Sequence, residues 1–270
     1  MSSEKSSLEQ RMHDADLRGT KQMNETSSST SRKRTGMIES AMVKLFMRNA
    51  RVLHIEDIGN AFRIVTLGGE AQRKVGWTPG DKLQIQLGGW VQRTYTPIEW
   101  DAENGRTRIL ASLHGDGPGA QWARTLRKGD ECIVFGTRKS IDLTQLGFAD
   151  AVLFGDETSF GLAAALNGVV QPEKTHLFLE VSSLAESQPA IARLRLENAH
   201  LRVRTGNDAQ LTELEARILP VLQVQPNTHI VLSGKASSIQ HMRKLLRRLG
   251  IGSNRFQTKV YWAPGKTGLD

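Results

Sequence analysis

Val91-Gln92-Arg93-Thr94-Tyr95-Thr96-Pro97 reads as a strand, and its alternation places Arg93, Tyr95 and Pro97 on one side and Thr94 and Thr96 on the other. A guanidinium can fork onto a pyrophosphate, a phenol ring can lie against a flat heteroaromatic, and the Thr96 hydroxyl or amide can reach a ring nitrogen. These side chains could cradle a flat ring system that carries phosphates. Taken alone, an edge strand of an antiparallel sheet explains the same residues, because Tyr and Thr suit pleated backbone and pair across strands.

The next Gly-rich stretch narrows the choice. His114-Gly115-Asp116-Gly117-Pro118-Gly119-Ala120-Gln121-Trp122-Ala123 combines three glycines and a proline, so it predicts a loop and then a short helix from Pro118. Amides at a helix start bind phosphate oxygens when no bulky side chain shields them. Gly117, Gly119 and Ala120 meet that condition, with Trp122 one turn further on. About twenty residues after the Arg-x-Tyr-Thr strand, such a turn supplies the second half of a dinucleotide site. His114 either touches the ligand or caps the end of a strand.

With Gly136-Thr137-Arg138-Lys139-Ser140, Gly155-Asp156-Glu157-Thr158 and the terminal Tyr261-Trp262, Pro264-Gly265, these segments form five ordered blocks. In that order the chain resembles the siderophore-interacting protein family, FAD-dependent ferric-siderophore reductases related to the ferredoxin reductases. The resemblance spans roughly residues 44–265. It implies an N-terminal FAD-binding antiparallel six-stranded β-barrel followed by a small doubly wound, NAD(P)-binding-like α/β domain. It also implies electron flow from NADPH or NADH through flavin to a ferric siderophore, with release of Fe(II) for iron assimilation, and an external donor such as ferredoxin as a further candidate partner.

By the same resemblance Arg93 holds the FAD phosphates, Tyr95 the isoalloxazine face and Thr96 the ring edge, while the Gly117–Trp122 turn takes the pyrophosphate. The turn carrying Asp156, Thr158 and Ser159 faces flavin and nicotinamide, although these residue types also cap any helix start. Trp262 stands at the mouth of the site or simply closes the last strand. Lys259 and Lys266 either attract an anionic siderophore or solvate the surface. No side chain is assigned as a catalytic acid or base, because flavin carries the chemistry. The chain departs from the family pattern at Ile98, where a second Arg is usual, at Phe160-Gly161, and at Lys235, where Glu is usual. Lys235 would favour a 2′-phosphate and hence NADPH.

Composition sets the outer bounds. At 270 residues with 39% hydrophobic content, two modest cores are expected. Cys132 is the only cysteine, which excludes an intrachain disulfide and a protein-held iron–sulfur cluster. No apolar run approaches a membrane span and no secretory apolar core opens the chain, so a cytoplasmic protein without membrane insertion is expected. The formal charge of +8 is spread along the chain, and without a nucleic-acid motif it suits small anionic ligands rather than nucleic acid.

Along the chain, residues 1–40 are polar and read as a disordered tail. Residues 41–148 carry the barrel strands Val43–Ile55, Phe62–Leu67, Lys82–Leu87, Val91–Pro97, Arg106–Leu113 and Cys132–Phe135, with turn signals between them. Residues 149–270 switch to strand–turn–helix units: Ala151–Phe154 before a helix Phe160–Leu166, His176–Val181 before a helix Pro189–Arg195, and His229–Leu232 before a helix Ser237–Leu249. A helix Leu211–Val221 lies between the last two units, and Phe256–Trp262 is the final strand. Two rival functions remain: a flavin reductase of the same fold with another acceptor, and a flavin-binding module without turnover.

Overall fold

The computed structural model describes residues 47–266 apart from 74, 89–90 and 147–148, so the polar segment 1–40 lies outside the described residues. Seven strands form an antiparallel sheet: β1 (Met47–Ile58), β2 (Phe62–Gly68), β3 (Lys82–Gly88), β4 (Val91–Tyr95), β5 (Pro97–Asp101), β6 (Arg106–Ser112) and β7 (Glu131–Arg138). Their order is β4-β3-β7-β1-β2-β6-β5. The expected count was six. The extra strand arises because Val91–Pro97 is not continuous: β4 leaves the β3 partner after Tyr95, and Pro97 opens β5 against β6. Proline is tolerated there because the first residue of an edge strand need not donate to a ladder. Consecutive strands thus end on opposite edges of the sheet, so the described pairings do not close a ring, and Thr96 carries the chain between the edges.

The helix α1 (Pro118–Thr125) follows β6, with Gly117 as its N-cap and Pro118 inside its first turn, as the sequence predicts. Arg63 of β2 fixes its other end, donating from Nη1 to the Ala123 carbonyl at 2.6 Å while its Nε contacts Asp57. A cation at the last carbonyls of a helix satisfies orphan acceptors and suits the dipole. Arg124 ties down the preceding loop by donating to the carbonyls of Leu113 and Gly115.

Five parallel strands make the second sheet: β8 (Ala151–Asp156), β9 (Thr175–Val181), β10 (His200–Val203), β11 (His229–Lys235) and β12 (Phe256–Trp262), in the order β10-β9-β8-β11-β12. That is a doubly wound arrangement. Helices α2 (Phe160–Asn167) and α3 (Leu184–Arg193) pack with one face, and α4 (Ala209–Val224) and α5 (Ala236–Arg248) with the other. Alternation along β8 sorts the two faces: Leu153 joins the first core, and Val152 and Phe154 join the second. The helix expected from Pro189 begins earlier, at Leu184, because Ser183 caps it by accepting from the Glu186 amide. Pro189 therefore lies within α3.

The first core does not stop at the parallel sheet. It also contains Ile58, Ala61, Phe62 and Ile64 from β1, β2 and their connection. Phe62 stacks on Phe160 of α2 at 5.5 Å between centroids, and Arg193 of α3 grips the Glu56 carboxylate of β1 with two hydrogen bonds. This shared packing, with α2 seated against β5 and β6, brings the two sheets together.

Candidate active site

A cleft of about 650 Å³ opens along that seam, within the compact unit Arg48–Asp270. One wall comes from β4 and its exit (Arg93, Tyr95, Thr96), β6 and the loop after it (Leu110, His114) and the start of α1 (Gly117, Gly119, Ala120). The other comes from the ends of β8, β9, β10 and β12: Glu157 and Thr158, Ser182, Arg204, and Tyr261 and Trp262. Ligands of open α/β sheets bind outside the carboxyl ends of the strands, as this cleft does.

On the first wall Arg93 donates to the carbonyl of its neighbour Gln92 at 2.7 Å. Gly119 faces it closely, since a Cβ there would lie 3.3 Å from Arg93 Cγ and 3.5 Å from the Tyr95 hydroxyl. No side chain caps α1, so amides of its first turn stay directed at the cleft beside a guanidinium, a donor set that suits phosphate oxygens. The Tyr95 ring packs on Trp122 at 5.9 Å, and burial holds its hydroxyl well above the ordinary phenol range.

The second wall is a network of partly buried charge in front of the buried Asp156. Arg204 forks onto Glu157, with Nη1 to Oε2 at 2.7 Å and Nη2 to Oε1 at 2.8 Å. Burial alone would raise the Glu157 carboxyl, but the Arg204 bonds and charge, with the Ser182 amide and hydroxyl, more than offset it and hold it below the usual range. Asp156, fully buried, accepts from the Thr158 amide at 2.9 Å and from Trp262 Nε1 at 2.8 Å. Burial pushes its pKa up to about 6 against these donors, and the Glu157 charge pushes the same way. Tyr261 is pushed up to about 12 by burial, and its hydroxyl shares a short hydrogen bond with that of Thr96.

Of the residues singled out in the sequence, the cleft collects Arg93, Tyr95, Thr96, His114, Gly117, Gly119, Ala120, Thr158, Trp262 and Lys266. Five do not line it. Trp122 backs Tyr95. Asp156 lies behind Trp262, and Ser159 is buried in a hydrogen bond with Ser233. Lys235 contacts Asp208 at 3.4 Å, and Lys259 is a half-buried residue of β12. Thr96 is present but its hydroxyl is engaged by Tyr261. The departures from pattern have structural outlets: Ile98 packs against the first core rather than facing the cleft, and Phe160 supplies the stack on Phe62. Sequence reading passed over Arg204 and Tyr261. The first follows a four-residue strand, and the second lies inside a block quoted for Trp262.

This is a ferredoxin-reductase-like architecture, with an antiparallel half facing a parallel α/β half. The profile of the siderophore-interacting FAD-binding domain matches residues 86–141, and that of the siderophore-interacting protein matches residues 148–265. The chain belongs to the siderophore-interacting protein family. Among solved structures it is similar to a siderophore utilization protein from T. fusca, with 22% identity over 83% of this chain and 95% of that one and a TM-score of 0.63. It is likewise similar to the siderophore-interacting protein SipS from Aeromonas hydrophila, with 22% identity over 82% and 92% and a TM-score of 0.65. A ferredoxin reductase of carbazole 1,9a-dioxygenase shares the fold at 14% identity over 80% and 69%, with a TM-score of 0.64. No curated protein matches the chain in sequence.

The residues present fit FAD. Arg93 has no carboxylate partner among the described residues, the α1 amides are uncapped, Phe62, Leu110 and Tyr95 offer apolar surface, and the volume is in the range of roughly 300–1,000 Å³ typical of cofactor clefts. Among the described residues no group of acids, histidines or cysteines could hold a metal ion, and no helix is long and apolar enough to cross a membrane.

Proposed function

We propose that this protein is a FAD-dependent oxidoreductase that takes electrons from NAD(P)H and delivers them to a ferric siderophore in the cytoplasm, with residues 41–148 binding flavin and 149–270 receiving the nicotinamide. The observation that carries this reading is the cleft itself: a wall of Arg93 and the uncapped start of α1, suited to phosphate, faces the carboxyl edge of a parallel sheet. Bound flavin supplies what neither partner can, acceptance of an electron pair and its release singly.

The chain's own residues bind and orient. Arg93 and the amides of Gly119 and Ala120 are the groups that would hold the pyrophosphate of FAD. Tyr95, backed by Trp122, gives a flat apolar surface for a ring system. The Thr96–Tyr261 hydrogen bond joins the two halves behind the ring site, so the Thr96 backbone rather than its hydroxyl is left for the ring edge. Glu157 and Arg204 neutralise each other, and Thr158 and Ser182 leave polar groups for the donor's nicotinamide and ribose. Lys266, exposed at the mouth, attracts an anionic chelate. Reduction promotes release because hard oxygen ligands hold Fe(III) far better than the softer Fe(II).

Among the described residues Lys266 is the single lysine of the cleft wall, and this favours a second reading in which the acceptor is not a siderophore. Anaerobic titration of the FAD-loaded protein with NADH, NADPH or reduced ferredoxin, followed by a ferric catecholate, ferric citrate or free flavin, separates the two. Reoxidation by the ferric chelates with appearance of Fe(II) is expected. Reoxidation by free flavin alone supports the second reading, and no reduction by any donor rejects both.

A further inference from the structure

The carboxyl of Asp156 does not reach the cleft, yet it holds a residue that does. Its Oδ1 accepts from the Thr158 amide and hydroxyl, and its Oδ2 accepts from the indole N–H of Trp262 at 2.8 Å. The Trp262 ring lines the cleft with the Arg204 guanidinium 5.8 Å from its centroid, close enough for a cation–π contact. Its neighbour Tyr261 is tied to Thr96. The indole is therefore gripped at its nitrogen, across its face and through its backbone.

Gly234 of β11 makes the grip possible. It adopts φ +101°, and a Cβ there would lie 2.5 Å from Asp156 Oδ2. The end of β11 thus approaches the carboxyl closely and leaves its second oxygen directed at β12.

We infer that Asp156 is a positioning residue, whose carboxylate fixes the Trp262 indole as a wall of the cleft and whose protonation loosens that wall. The role of the wall rests on the reading that a dinucleotide or its acceptor enters beside it, whereas the grip itself does not. An ionised acceptor makes a hydrogen bond roughly twice as strong as a neutral one. The groups facing Asp156 from each packed element are few. Glu157, in its own turn, raises its proton affinity beyond what burial does, while Thr158, Trp262 and the Arg204 charge at the end of β10 lower it. The Tyr261 hydroxyl of β12, the Gly234 backbone of β11 and the Ser159 hydroxyl are uncharged. Glu180 faces Arg204 from β9. The result is a carboxyl that titrates near pH 6, where modest acidification changes the charge holding the indole.

The five tryptophans give five indole N–H resonances, and Trp262→Phe identifies one of them. In the full chain without added flavin, that resonance is expected to move in one step with a midpoint near pH 6, and to stay fixed in Asp156→Asn. Thr158→Val removes a donor to the carboxylate, so its midpoint moves upward. A Trp262 resonance that is stationary from about pH 5 to about pH 8, or that titrates alike in Asp156→Asn, overturns the inference. If Asp156→Asn fails to give a dispersed spectrum, an unchanged midpoint in Thr158→Val overturns it instead. A protein that titrates as expected but binds no flavin keeps the positioning role and rejects the proposed function.

Discussion

Arg204 gives its fork to Glu157, whereas among the described residues Arg93 donates to the carbonyl of its neighbour and meets no carboxylate. A half-buried cation already paired is structural, and one left beside uncapped amides is available for an anion. Arg93→Ala is therefore expected to weaken FAD binding about tenfold to a hundredfold, since a hydrogen bond to a charged group contributes roughly 1.5–3 kcal/mol, and flavin fluorescence quenching measures it. Little loss of stability should accompany that change. The two acids of the second wall act oppositely on stability. Asp156 is raised from 3.8 to about 6, so the folded state holds its proton longer than the unfolded chain does. Stability from this group is fully present below about pH 4 and is lost as pH rises to about 6, on the order of 3 kcal/mol. Glu157 is held low, so its stabilisation is present above the ordinary carboxylate range and is lost as pH falls through its folded value. Asp156→Asn should accordingly raise the midpoint of thermal unfolding at pH 8 relative to wild type while leaving it nearly unchanged at pH 4. A lower midpoint for the variant at pH 8 would contradict the sign.

At the scale of elements, the cleft depends on how strands end. β11 must pass close to Asp156, so Gly234→Ala forces both a left-handed backbone on alanine and a contact of 2.5 Å. It is expected to lose roughly 1–3 kcal/mol of stability, read as a lower midpoint of denaturant unfolding. Local signals made these elements legible in the sequence. Pro118 after glycines marks a helix start, and apolar runs mark buried parallel strands. Two readings went astray for physical reasons: Val91–Pro97 looked continuous because its alternation survives Thr96, and Pro189 looked like a helix start although Ser183, with Glu186 three residues on, is the cap. β10, four residues at the sheet edge, has too short an alternation to register. The site was legible where its residues are local, at Arg93, Tyr95 and Gly117–Ala120. The Glu157–Arg204 and Thr96–Tyr261 partnerships span 47 and 165 residues, and no local pattern announces contacts made by folding.

At the scale of the whole molecule, the antiparallel and parallel sheets share one core, and the cleft lies where that core ends. Phe160 is fully buried on Phe62, so Phe160→Ala should cost about 3–5 kcal/mol and weaken flavin binding as well, because the seam that aligns the two walls loses its stack. Retained affinity at reduced stability would show that the walls are aligned by other contacts. Membership of the siderophore-interacting family, the uncapped α1 and the Arg93 guanidinium, which has no carboxylate partner among the described residues, converge on one claim, that this cleft holds a flavin. The absorbance spectrum of the purified full chain tests it most directly. The account predicts a yellow protein with a flavin band, present as isolated or gained on incubation with FAD and lost in Arg93→Ala. A preparation that is colourless, and stays so after incubation with excess FAD and FMN, would contradict it.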